Sequence, residues 1–228
     1  MPAPLIAPRW RIGALIAIFA AVVVVGWLGV VGYHASSTEF DRWVLRTAYL
    51  HLGLGAADFL IALSAPALTT GLLAAVALIA ALLRRWEIAV LAVAGPVLAE
   101  LITELVLKPV VGRLIGPFVY RGGSLAGAVS GSFPSGHETG VAAAAIVLLI
   151  AAAQLPTNQA VRLAVFDVLA AWTLLAALGL VRNFYHYATD TIGAIAVSVA
   201  VVLGVALAVD RWFVPVLDRA DVRRRQLT

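Results

Sequence analysis

Six stretches of apolar sequence, most of them about 20 residues long, take up most of this chain and leave it few ways to fold. A helix crosses a bilayer core in about 20 apolar residues, and backbone groups facing lipid must be satisfied within their own segment, so such runs predict membrane-spanning helices. A hydrophobic content of 63%, a charged content of only 12% and a mean hydropathy of +1.02 place the chain outside the soluble globular range. The expected fold class is therefore all-α: a polytopic membrane protein with six transmembrane helices in one bundle. A single membrane domain spans residues 1–228, with short basic tails at about 1–11 and 211–228.

The first apolar run, residues 12–33, exceeds the roughly 7 to 15 apolar residues of a signal-peptide core and is read as a retained helix. Residues 34–57 mix Glu39, Asp41, Arg42, Arg46 and His51 with Trp43 and Tyr49, which suits an interfacial stretch or a short amphipathic helix. The second span, 59–83, stops at Arg84-Arg85. The third, 87–107, contains Gly95-Pro96 as a tolerated kink and two acidic residues, Glu100 and Glu104. Lys108 follows Glu104 by four residues, so a helical ion pair that orients the lysine is available. Prolines and glycines then break the pattern from 108 to 133 and predict a compact loop carrying Arg113 and Arg121. The last three spans are read at about 137–154, 163–181 and 191–209.

A formal net charge of +4 does not point to nucleic acid, because the basic residues follow membrane topology rather than gathering on one face. With both termini inside, ten of the sixteen Lys and Arg residues are cytoplasmic, and four of the outer six, Lys108, Arg113, Arg121 and Arg182, lie in the glycine-rich loop or the polar cluster that follows the fifth span. The chain has no cysteine, so neither a disulfide framework nor a thiolate site is available.

The first polar cluster is Phe133-Pro134-Ser135-Gly136-His137; the second runs from Arg182 to Asp190. The helices between them carry the chain inward and back, so both emerge on the outer face and can share one site. Lys108, Arg113, Arg121 and Arg182 would make a cationic pocket for a phosphate or pyrophosphate headgroup. Ser135, Gly136 and the first free amides of the fourth span can add donors, although Pro-Ser before a helix is also an ordinary start signal. Arg182, His186 and Asp190 recur at a spacing of four, which would align them on one face of a helix. Asp190 would then hold one imidazole nitrogen of His186 and leave the other directed at phosphorus, while His137 protonates the leaving oxygen.

At these residues the chain resembles the type 2 phosphatidic acid phosphatase (PAP2) superfamily. That family carries a lysine followed after six residues by Arg-Pro, then Pro-Ser-Gly-His, then Ser-Arg followed by a histidine and, four residues later, an aspartate. Pro134 to His137 match the middle block in full, and His186 and Asp190 match the third. The first block departs, with Ile115-Gly116 where Arg-Pro is expected from Lys108; Arg113 or Arg121 would substitute, Arg113 being preferred. In the third block Val181 stands for the serine and Arg182 lies two residues closer to His186 than the family spacing.

The resemblance implies that His186 is the nucleophile forming a phosphohistidine, Asp190 its orienting partner and His137 the general acid. Lys108, Ser135, Gly136 and Arg182 would bind phosphate, no metal or other cofactor being needed. The expected function is hydrolysis of a lipid phosphate such as a polyprenyl pyrophosphate, phosphatidate or phosphatidylglycerophosphate, with a phosphotransferase as a variant on the same scaffold. A transporter or a non-catalytic protein binding anionic lipid is the alternative from another class. High alanine and valine content suggests a prokaryotic plasma membrane.

Overall fold

The computed structural model describes residues 4–33, 37–113 and 131–216, and among these all regular structure is helical. Among the described residues six helical segments are long and apolar enough to cross a membrane: Pro8–Gly32, Leu54–Leu82, Trp86–Val111, Gly136–Ala153, Gln159–Arg182 and Ala188–Val216. Arg121 lies outside the described residues, as do the arginines beyond residue 216.

Helix α1 (Arg11–Gly32) buries Ala14, Ala21, Leu28 and Gly32, a stripe stepping by seven or four residues along one face, and lays it on α9 (Ala188–Ala208). Its remaining surface, including Phe19 and Trp27, is exposed, as befits a helix facing lipid on most sides. The chain ahead of it is tied to the far end of α9. Asp210 accepts the backbone amides of Leu5 and Ile6 at 2.6 and 2.9 Å, and Gln154 donates to the carbonyl of Leu5.

The mixed segment after α1 forms α2 (Glu39–His51), an amphipathic helix started by a capping box between Thr38 and Asp41. The second span is two helices, α3 (Leu54–Ala62) and α4 (Pro66–Leu82), so it starts earlier than residue 59 and is interrupted. Pro66 has no N–H to continue α3 and instead opens α4, while Ser64 caps the break by donating to the Ile61 carbonyl.

In the third span α5 (Trp86–Ile102) runs into a π-helical turn, Thr103–Leu107, and then α6 (Lys108–Val111), which ends at Gly112. Helix thus continues past the expected end at 107. Pro109 cannot donate to the carbonyl four residues back, and the ladder widens just before it. Glu104 lies within this turn and Lys108 directly after it, and the two are paired. Helices α7 (Gly136–Ala153) and α8 (Gln159–Arg182) follow, and α7 packs between α5 and α9. Thr139 stitches these three, sharing a 3.2 Å hydroxyl contact with Thr103 and accepting Ser198 at its carbonyl.

Candidate active site

The starts of α7 and α9 meet at one end of the bundle, joined by a hydrogen bond from the Ser135 amide to the Asp190 carbonyl. Both helices present their positive ends there, which favours an anion before any side chain is counted. Phe133, completely buried against Leu28 and Val111, anchors the residues leading into α7, and its peptide with Pro134 is cis. Its ring lies where a Cβ on Gly193 of α9 would go, so only glycine there lets ring and helix touch.

Arg182, His186 and Asp190 do not share a continuous helical face. Helix α8 ends at Arg182 in a Schellman pattern, the Tyr185 amide bonding the Leu180 carbonyl and the Phe184 amide the Val181 carbonyl. Phe184 takes the left-handed position at φ 62°, normally a glycine's, so the turn carrying His186 is strained. His186 therefore sits between helices, and Asp190 in the first turn of α9, where it accepts the Tyr187 amide as part of the helix cap.

The short loop brings His186 and Asp190 together in another way. His186 Nδ1 is 3.2 Å from the Ser132 carbonyl oxygen and 3.6 Å from Asp190 Oδ2. A carbonyl can only accept, so Nδ1 carries a proton, and in the neutral ring the lone pair lies on Nε2. The direct anchor of the ring is thus Ser132, with Asp190 just beyond hydrogen-bond range. Ser132 also donates its hydroxyl to Asp190 Oδ2 at 2.5 Å and its amide to the Arg113 carbonyl. His137, exposed on the first turn of α7, lies within electrostatic range of His186, Lys108 and Glu104.

Three of the four expected cations, Lys108, Arg113 and Arg182, lie among the described residues and have different fates. Lys108 pairs with Glu104 at 2.5 Å, as its spacing foretold. Glu104 Oε1 lies so near the start of α7 that a Cβ on Gly136 would collide with it; a carboxylate stands where an anion is favoured. Arg113 is 1% exposed and spans two buried carboxylates, Nη1 reaching Asp190 Oδ1 at 2.6 Å and Nη2 reaching Asp41 Oδ2 at 2.7 Å. Arg182 donates Nε to the Leu52 carbonyl and stacks on the Tyr49 ring, fastening α8 to the end of α2. Ser135 is fully buried as the cap of α7, its hydroxyl accepting the Glu138 amide.

Sequence reasoning missed Ser132, Asp41 and Thr189. Asp41 accepts the amide and hydroxyl of Thr189, those of Thr38, and Arg113. Burial alone would raise its carboxyl, but the amides of Thr189 and Thr38, the Thr38 hydroxyl and the Arg113 charge together hold it below the usual carboxylate range. Its one sequence signal is Thr38 three residues earlier, which marks a helix start rather than a site.

From His137 and Lys108 an open groove of about 720 Å³ runs between α4 and α5, past Glu100 and Thr69 to Leu73 and Ala92. Its walls turn apolar with distance from His137. Among the described residues no cluster of three or more His, Cys, Asp or Glu side chains is placed to hold a metal ion.

A family model described as PAP2 superfamily matches residues 88–213. Among solved structures, the chain is similar to the crystal structure of the first transmembrane PAP2 type phosphatidylglycerolphosphate phosphatase from Bacillus subtilis. The TM-score is 0.69 at 18% sequence identity, covering 85% of this chain and 96% of that one. No curated protein matches.

Proposed function

Because the chain belongs to the PAP2 superfamily, we propose that it is an integral-membrane lipid phosphatase working through a phosphohistidine on His186 without a metal ion. The observation that carries this reading is the ring of His186, held by Nδ1 at the Ser132 carbonyl with Asp190 behind it and His137 in electrostatic range. Such an arrangement leaves Nε2 as the free nucleophile.

In the first step Nε2 attacks phosphorus and the bond to the lipid oxygen breaks, that oxygen taking a proton from His137. Positive charge developing on the His186 ring is met by Asp190. In the second step His137, now neutral, takes a proton from water, which attacks phosphorus, breaks the P–N bond and releases inorganic phosphate. Lys108 and the Gly136 amide receive the phosphate, which displaces the Glu104 carboxylate from the start of α7. Ser135 serves this subsite as its cap. Arg113 and Arg182 act through the frame, since their guanidinium groups are committed to Asp41 and Asp190 and to Leu52 and Tyr49.

The groove between α4 and α5 houses the lipid chain. Ala92 and Lys108 both line it and lie sixteen residues apart, roughly 24 Å along a helix rising about 1.5 Å per residue, so a long chain lies beside α5 while its phosphate reaches His137. Polyprenyl pyrophosphate, phosphatidate and phosphatidylglycerophosphate all have this form, the last being the substrate named for the similar Bacillus subtilis protein. The distribution of basic residues supports both termini in the cytoplasm with the site on the outer face, and the alanine and valine content supports a prokaryotic plasma membrane.

The test is phosphate release by detergent-purified protein from a panel of these lipids in EDTA. Release that persists in EDTA and disappears in His186→Ala is expected. Headgroup binding with no release from any lipid, indifferent to His186→Ala, would replace the enzyme with a lipid-binding protein.

A further inference from the structure

We propose that Asp41, on α2, is a positioning residue for catalysis: by offsetting Arg113 it keeps Asp190 an effective anion behind His186. This rests on the reading of His186 as nucleophile. Asp41, Arg113 and Asp190 form a carboxylate–guanidinium–carboxylate row whose side chains are 0%, 1% and 0% exposed. Arg113 gives one nitrogen to each carboxylate, and Thr189 bridges the row, accepting from Arg113 and donating to Asp41.

Two negative charges and one positive leave the row with a net charge of −1. If Arg113 faced Asp190 alone, the pair would be neutral and the ring of His186 would gain little from it. With Asp41 drawing on the same guanidinium, the surplus negative charge remains next to the imidazole, at 3.6 Å from Nδ1. That surplus is most favourable when the ring becomes positive, as it does when Nε2 bonds to phosphorus. The row lies at the opposite side of the ring from Nε2, so it acts on the nucleophile without touching phosphate.

The groups facing His186 are few. Asp190 approaches from α9 and His137 from α7, with Lys108 and Glu104 beyond His137. Arg113, Asp41 and the Tyr187 ring, which lies 4.4 Å from the guanidinium, stand behind Asp190. Of these only Asp41 lies on α2, outside every segment that carries a family motif, so its removal changes the charge of the row and no phosphate contact.

The experiment compares the parent, Asp41→Asn, Arg113→Gln and the double variant as full-length protein. Asp41→Asn is expected to lower kcat by about tenfold, the cost of roughly 1.4 kcal/mol of lost charge stabilisation in the transition state, with KM within about twofold. Less negative charge then faces the ring, and the acid limb of the kcat profile moves to lower pH. The double variant restores the net charge of −1 and is expected to exceed Asp41→Asn by about tenfold and to share the parent's acid limb, the second comparison needing only the double variant and the parent. A double variant no better than Asp41→Asn, one whose acid limb lies away from the parent's, or a loss in Asp41→Asn confined to KM would overturn the proposal. A second readout needs no turnover: carbethoxylation of His186 by diethyl pyrocarbonate, followed by mass spectrometry. Its rate at a fixed, mildly acid pH should rise in Asp41→Asn and return to the parent's in the double variant; an unmoved rate refutes the positioning role even where no lipid is hydrolysed. A parent that releases no phosphate would instead sink the phosphatase reading.

Discussion

Replacing Gly193 by alanine adds one methyl group to the helix that carries Asp190, on the side that Phe133 occupies. The new Cβ would stand 2.6 Å from Cζ of the ring, well inside van der Waals contact. The ring has no room to retreat, since Phe133 is fully buried with Leu28 and Val111 packed against it. Forcing one methyl into so filled a space costs about 1 to 3 kcal/mol. The strain is passed to the neighbouring residue, because Phe133 follows Ser132, whose carbonyl holds His186 Nδ1 at 3.2 Å. A shift of about 1 Å there breaks the bond, and misplacement of that size costs a reacting group about 100-fold in rate. Thermal unfolding in detergent and single-turnover cleavage of a lipid phosphate should therefore both report the change. Phe133→Leu introduced alongside Gly193→Ala makes space and should recover most of the stability and a good part of the rate. If Gly193→Ala melts and turns over like the parent, Phe133 does not set the position of Ser132 and the reasoning fails.

Other expectations follow from the same geometry. The carboxyl of Asp41 is held below the usual carboxylate value of about 4, so its stabilising contribution is present above that pH and is lost as pH falls through its lower folded value; unfolding measured from pH 5 to pH 2 should fall off more steeply in the parent than in Asp41→Asn. Glu104→Gln releases Lys108 from its ion pair and removes the carboxylate at the start of α7, so the KM for a lipid phosphate should drop several-fold, whereas Lys108→Met should raise it by about tenfold or more. Loss of His137 should depend on the leaving group: His137→Ala is expected to lose about 100-fold or more on a lipid alcohol and far less on an aryl phosphate whose phenol leaves without a proton.

The membrane-spanning helices were legible because lipid imposes one requirement, a long apolar run, that a linear sequence displays directly. The break between α3 and α4 was carried by Pro66, a start residue that an apolar reading passes over. His137, His186 and Asp190 were legible as side chains, and the path of the chain brings their segments to one end of the bundle. The frame around them was not. Ser132 contributes a main-chain carbonyl, which every residue has, so nothing in its identity marks it. Arg113 reads as a cation available to phosphate, and only the fold reveals two carboxylates, 72 and 77 residues away in sequence, waiting for it. A helical spacing suggested a face through Arg182, His186 and Asp190. A Schellman turn with phenylalanine where glycine is usual breaks that helix, and the Phe184 ring packs beside Tyr49 of α2.

The central claim is that His186 becomes covalently bonded to phosphorus. Full-length protein would be mixed with a lipid carrying labelled phosphate in EDTA, quenched within milliseconds in alkali, and mapped by mass spectrometry. The account predicts an acid-labile, alkali-stable phosphoryl group on His186 that is absent from His186→Ala. Phosphate release at an undiminished rate with no label on His186, or turnover surviving in His186→Ala, would contradict it.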